Sequence, residues 1–227
     1  MNKQKKKILV IGPSRKRTKG GMAAVISQEM DDKQMQEEFF MHAYSSYREG
    51  KPALRILYSA WKIFAALFVI PFYQTLHIHM TSKGSMVRKL CYVQEGVLFH
   101  KKIIIQIHCC DYFLECLDKM PLWYQKYAKK LLTKADTVLC LSHSFQKQME
   151  EKFGLSNCRY LPNGIDMDRY PYTEDGEVVA YLGKVTEQKG VRDLLKALSI
   201  LKEEGLDLPC IIGGTGKLPE MKELAKE

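Results

Sequence analysis

Nothing in this 227-residue sequence has the spacing of a disulfide framework or of a zinc site. Its seven cysteines are odd in number and irregularly placed, and no Cys-x-x-Cys pair occurs. A small cross-linked secreted scaffold is therefore excluded, and a reducing cytoplasm fits best. His108-Cys109-Cys110 with Cys116 has no second ligand pair at zinc spacing, so no metal is expected there. Cys140, in the run Val138-Leu139-Cys140-Leu141, reads as a small core residue. Neither G-x-G-x-x-G nor a P-loop is present, which disfavours a nicotinamide dehydrogenase. The basic residues lack aromatic interleaving or a recognition motif, so nucleic acid is not an expected partner. Long apolar runs are missing too. The lysine-rich lead Met1–Lys7 is followed by an apolar run of only Ile8 to Ile11, too short for a signal peptide. The stretch Ile63–Tyr73 is too short to span a bilayer and carries Pro71.

What is present is a globular composition, 46% hydrophobic and 27% charged, with a net charge of +9. The charge is uneven. Met1 to Tyr172 holds 27 Lys and Arg against 15 Asp and Glu, a net of +12; Thr173 to Glu227 holds 8 against 11, a net of −3. A basic first part suits phosphates or an anionic membrane surface; a solvated lysine-rich surface is the plain alternative.

Short apolar runs alternate with longer amphipathic ones. Strands are expected at Lys7–Gly12, Phe39–Tyr44, Leu76–Met80, Ile103–His108, Thr137–Leu141 and Arg159–Leu161. Helices are expected at Gly21–Met30, around Leu54, at Val87–Phe99, Leu122–Thr133 and Ser144–Phe153. Strands apolar on both faces belong to a parallel sheet covered by helices, so the fold class is α/β with a doubly wound sheet. Gly12-Pro13-Ser14, Met80-Thr81-Ser82, His108 and Ser142-His143-Ser144 fall at strand ends and mark one crevice. The turn Pro162-Asn163-Gly164 and the polar stretch Asp168–Glu177 read as a linker. Beyond it the pattern restarts: strand Val178–Gly183, helix Val191–Glu203, strand Pro209–Gly213, a glycine loop and a helix opening at Leu218. Two domains follow, residues 1–170 and 171–227, the second holding only a first βαβα. Along Leu54–Tyr73, the residues Leu54, Leu57, Trp61, Phe64, Ala65 and Phe68 share one helical face. A buried packing helix is the first reading, a helix lying on a membrane the second.

Two loops have phosphate chemistry. Gly20-Gly21 opens a helix after a strand, where bare backbone and helix N–H groups can approach a phosphate. In the second domain, Gly183-Lys184 and Lys189-Gly190 flank one strand-end loop, and two ammonium groups there could neutralise a diphosphate leaving group. Gly213-Gly214-Thr215-Gly216 offers a second backbone cradle. Taken singly, each is as readily a tight turn or a solvated lysine.

Taken together, these segments resemble the retaining GT-B glycosyltransferases of family 4. The resemblance rests on Leu161-Pro162-Asn163-Gly164-Ile165-Asp166, Tyr181-Leu182-Gly183-Lys184 with Lys189-Gly190-Val191, and Ile212-Gly213-Gly214-Thr215-Gly216. In the first domain it rests on Lys19-Gly20-Gly21-Met22, His77-Ile78-His79 and Gln106-Ile107-His108. It implies Gly20 and Gly21 near the donor phosphates and acceptor, and His108 beside the transferred sugar. It places Lys184 and Lys189 on the donor diphosphate, and Gly214 to Gly216 by the nucleotide. Where the family has an arginine, this chain has Lys184, which keeps the charge but loses the bidentate fork. The substrate is then a nucleotide-diphosphate sugar, with no metal or other cofactor expected. The acceptor is a glycan or lipid-linked glycan, on the cytoplasmic side of a membrane with which the chain makes peripheral contact. The family's paired glutamates have no counterpart here. Truncation, lost activity and a separately encoded C-terminal half are expected on that ground; the alternative is a non-catalytic module binding a phosphorylated ligand or a partner.

Overall fold

The computed structural model describes residues 5–18, 20–165, 167 and 176–225. The chain divides into two compact units, residues 1–165 and 166–227. Lys19, Asp166 and the linker stretch 168–175 lie outside the described residues, as does the boundary at residue 170.

The first unit is an α/β layer structure. Its strands are β1 (Lys6–Pro13), β2 (Phe39–Tyr47), β3 (Thr75–Met80), β4 (Lys102–Ile107), β5 (Thr137–Cys140) and β6 (Cys158–Tyr160). All pair in parallel, in the order β2-β1-β3-β4-β5-β6. The inner strands carry the apolar runs, because both their faces are covered: Leu9, Ile11, Leu76, Ile78, Ile103, Ile105 and Ile107 are all buried. Chain order reverses between β1 and β3, so the topological switch point, and the crevice it opens, lies at their carboxyl ends.

The helices are α1 (Gly21–Asp31), α2 (Lys33–Glu38), α3 (Pro52–Ala66), α4 (Gly84–Leu98), α5 (Cys110–Asp118), α6 (Leu122–Lys134) and α7 (His143–Phe153). α7 is bounded by ordinary signals: Ser142 caps its N-terminus by accepting from the Phe145 N–H at 3.1 Å, and Gly154 closes it in the left-handed conformation. α2 and α5 are additions to the sequence reading. In α5, Cys116 is buried with Phe113, Leu114 and Leu117 on the face that enters the core, and Cys110 is half-buried at the start of the helix.

Gly12 sets how closely α1 sits on β1. A Cβ at Gly12 would lie 2.1 Å from Ile26 Cδ1 and 3.9 Å from His79 Cβ, so a larger residue there would have to displace the end of the buried Ile26 side chain. α3 departs from the first reading of it. Its apolar face is turned outward, while Ser59 is buried and Lys62 stacks over the Tyr44 ring at 3.7 Å.

The second unit has β7 (Val179–Val185) paired in parallel with β8 (Cys210–Gly216), and helices α8 (Val191–Glu203) and α9 (Leu218–Leu224). Its core is small: Val185, Val191 and Met221, with Tyr181, Leu195, Ile212, Leu218 and Leu224 packed against them. The glycine segment is not the open loop expected. Gly213 to Gly216 continue β8 and pair with Leu182 to Val185, because a bare backbone can lie against the Gly183 and Val185 carbonyls.

Candidate functional site

At the switch point three histidines and a glutamate converge. The pleat of β3 sends His77 and His79, two residues apart, to one face. β4 runs beside it, and the His108 N–H just past its end donates to the Met80 carbonyl at 2.9 Å, which fixes His108 next to the end of β3. α1 brings Glu29 over the pair. His79 Nδ1 lies 3.0 Å from His108 Nε2, with the rings stacked at 5.2 Å. Glu29 Oε2 lies 3.2 Å from His79 Nε2 and 3.6 Å from His77 Nδ1. These two carboxylate contacts are electrostatic rather than aligned hydrogen bonds; Nε2 of both His77 and His79, and Oε1 of buried Gln106, have no hydrogen-bond partner.

Burial governs the ionisation. It pushes His77 down to about 3, with His79 adding to the effect and the Glu29 carboxylate opposing it. It pushes His108 down to about 4, against the pull of Glu29. His79 falls well below its usual range through burial, then through His108 and Lys89. Glu29 is raised by burial and held back by His77 and His108. At neutral pH the imidazoles are therefore neutral, each with one N–H. An ionised Glu29 favours the proton on His79 Nε2. His79 Nδ1 then accepts from His108 Nε2–H, and His108 Nδ1 is left with a lone pair. The array can thus hold one strand-end imidazole in a single tautomer and orientation.

The donors of Glu29, His77 and His79 lie within 4.8 Å of one another. Their 3.2 and 3.6 Å separations bracket the ligand–ligand edge of about 3.3–3.4 Å in a tetrahedral zinc site with nitrogen ligands. This trio could therefore hold a divalent cation, a possibility that cysteine spacing does not address.

Below the same strand ends lies Lys89 of α4, 1% exposed. Its Nζ donates to Ser46 Oγ, whose hydroxyl donates to the Gly12 carbonyl at 2.8 Å. Burial, then the neighbouring Arg88, drives its pKa far below the usual lysine range. Among the described residues no ion pair involves it.

Of the residues expected from sequence, His108 sits in this array. Gly20 precedes α1 with φ 147°, and among the described residues no side chain caps the first turn of that helix. A Cβ on Gly20 or Gly21 would meet nothing within 4 Å, so the approach there is open. The other five belong to the second unit. Gly183 and Lys184 lie within β7 rather than beyond it, opposite Gly214 and Thr215. Lys189 ends a 3-10 turn, Glu187–Lys189, and Gly190 follows with φ 72°. Gly214 and Gly216 have φ 147° and 135°. Both lysines are exposed. Glu29, Lys89 and Ser46 were not singled out by the sequence; a glutamate or lysine on an amphipathic helix gives no sign that tertiary packing will bury it.

Residues 23–169 match the family model described as Glycosyltransferase Family 4. No curated protein matches. Among solved structures, the fold is shared with Anabaena HepE in complex with UDP (TM-score 0.64, 15% identity, covering 97% of this chain and 65% of that one). It is shared with a UDP co-structure of S. aureus MnaA (TM-score 0.55, 13% identity, 97% of this chain and 65% of that one). A Listeria monocytogenes protein provisionally assigned as a UDP-N-acetylglucosamine 2-epimerase also has it (TM-score 0.54, 10% identity, 98% of this chain and 66% of that one). The chain spans about two-thirds of the length of these proteins.

Proposed function

The chain belongs to glycosyltransferase family 4, and on that premise we propose that it serves in transferring a sugar from a nucleotide-diphosphate sugar to a glycan or lipid-linked acceptor, with retention of anomeric configuration. Cell-surface polysaccharide assembly on the cytoplasmic side of a membrane is the setting this reading gives it. The observation that carries the proposal is His108, held at the carboxyl end of β4 by His79 at 3.0 Å within the segment the family model matches. Neutral His108 accepts a hydrogen bond from a hydroxyl of the transferred sugar through Nδ1, and Glu29 with His79 positions it. The open Gly20-Gly21 turn and the uncapped start of α1 receive donor phosphate. Lys184 and Lys189 supply positive charge as the diphosphate leaves, and Gly214 and Gly216 admit the nucleotide close to the backbone. UDP is the first nucleotide to test, since two structures of this fold hold it.

A second reading is a non-catalytic module binding a phosphorylated ligand or a partner. What favours it is the uncovered apolar surface of the second unit: Leu182 is 90% exposed, and Ile211 is also exposed. On this view the nucleotide site needs more structure than residues 176–225 provide.

Isothermal titration with UDP, then GDP, separates the two. Under the transferase reading UDP binds, and Lys184→Ala and Lys189→Ala each weaken binding by about tenfold or more, as for loss of a charged contact. No binding up to millimolar nucleotide overturns it for this chain and moves the module reading ahead.

A further inference from the structure

α3 is an inverted amphipathic helix. Its charged and polar side chains face the protein: Lys62 lies over Tyr44, Arg55 reaches Tyr47 Oη at 3.5 Å, and the Tyr58 hydroxyl donates to the Ser45 carbonyl at 3.3 Å. Its outward stripe is apolar. Leu54, Leu57, Trp61 and Phe64, continued beyond the helix by Phe68 and Phe72, are each between 54% and 71% exposed. The rings adjoin along the stripe, Trp61 to Phe64 at 6.0 Å and Phe64 to Phe68 at 5.5 Å. A contiguous exposed patch of this kind marks an interaction surface.

The surrounding charge identifies the occupant. From Gly50 to Gln94 the sequence has no Asp or Glu; of its six Lys and Arg, Lys51 and Lys83 are exposed, Arg55, Lys62 and Arg88 are half-buried, and Lys89 is buried. Exposed Lys51 stands at the start of α3, and Lys101 donates to the Pro71 carbonyl at 2.8 Å beside Phe72. A cation thus sits at each end of the stripe. A second copy docking face to face would set these acid-free segments against each other, with like charges opposed. A surface that is negative outside and apolar inside satisfies both features.

We infer that α3 docks in the plane of an anionic membrane, with Trp61, Phe64 and Phe68 at the acyl boundary and the flanking lysines among the headgroups. The helix of 15 residues is about 22 Å long, and no helix among the described residues is long and apolar enough to cross a membrane. Under the transferase reading this brings the first unit to a lipid-carried acceptor; the docking itself rests on exposure and charge alone.

The test is flotation of the full chain with phosphatidylcholine vesicles, with and without about one-third phosphatidylglycerol. It is paired with Trp61 fluorescence in a Trp123→Phe background, these being the two tryptophans of the chain. Flotation with the anionic vesicles, a blue shift of Trp61 and its quenching by brominated lipid are expected. The triple change Trp61→Ser, Phe64→Ser, Phe68→Ser lowers partitioning more than about tenfold while leaving the urea melt in place, since the three side chains are exposed. No flotation, or flotation unchanged in the triple variant, overturns the inference. So does dimerisation that the triple variant abolishes in a chain without vesicle affinity, which assigns the face to a second copy. UDP titration is independent. A chain that binds UDP and ignores vesicles loses only the docking, and one that floats without binding UDP loses only the transferase reading.

Discussion

The Glu29–His79–His108 array turns a strand-end imidazole into a group with a defined lone pair, and its consequences can be measured residue by residue. In wild-type protein, the imidazole nitrogen shifts of His108 should report the Nε2–H tautomer at pH 7. Glu29→Gln removes the charge that orders the chain, and a mixture of tautomers is expected; an unchanged His108 spectrum would show that the glutamate has no part in positioning it. Acid stability gives a second readout. The folded pKa of His108 is about 4, below its ordinary 6.5, so the unfolded chain binds its proton first as pH falls. The histidine therefore adds no penalty above pH 6.5 and an increasing one from there down to about 4. Relative to wild type, His108→Asn should gain about 3 kcal/mol of stability between pH 7 and pH 4 in urea melts. Glu95, raised to about 7 by burial, works in the opposite sense, its stabilisation being lost as pH rises from its ordinary 4.5 toward 7. It cancels in that comparison because both proteins carry it. Sequence reading reached His108, because the end of an apolar strand is legible from the length of its run, and it met His77-Ile78-His79 only as part of the family resemblance. It could not reach Glu29, whose approach depends on how closely α1 lies on the sheet.

At the scale of the element, two glycines decide how pieces meet. Gly12→Ala puts a methyl into Ile26 and should destabilise the first unit by about 1–3 kcal/mol in chemical denaturation. Adding Ile26→Ala should recover part of the loss, since the clash is with that side chain; equal losses in single and double variants would place the strain elsewhere. In the second unit, a Cβ at Gly214 would lie 1.7 Å from the Gly183 carbonyl, at a backbone φ of 147°. Gly214→Ala should therefore open the β7–β8 pair, seen as faster amide exchange along β8 with the first unit unaffected. α3 shows the limit of periodicity. The helical stripe of Leu54, Leu57, Trp61 and Phe64 is legible in the sequence, but a stripe has no sign for inward or outward. The hydroxyls and aromatic rings of β2, at Tyr44, Ser45 and Tyr47, took the polar face of α3 and left the apolar one outside.

At the scale of the molecule, the two units differ in how much they bury. The first has six strands with helices packed on them and an extended apolar cluster from Leu9 to Cys158. Among its described residues the second has two strands and a core of three buried residues. A two-stranded parallel sheet with exposed Leu182 and Ile211 gains little from burial against the entropy of ordering its chain. Guanidinium denaturation should accordingly show residues 176–225 melting first, at low denaturant, and the first unit in a separate later transition. A single transition reported identically by probes in both units would contradict this.

The sequence by itself determined the α/β alternation, the parallel sheet and the strand-end position of His108, because each follows from local periodicity and from the apolar runs that a doubly covered strand requires. Tertiary structure alone decided that Glu29 and His79 stand behind His108, that Lys89 is buried beneath β1 and β2, and that α3 faces outward. Each of these depends on which surfaces meet across tens of residues of chain, and the one-dimensional pattern carries no record of that.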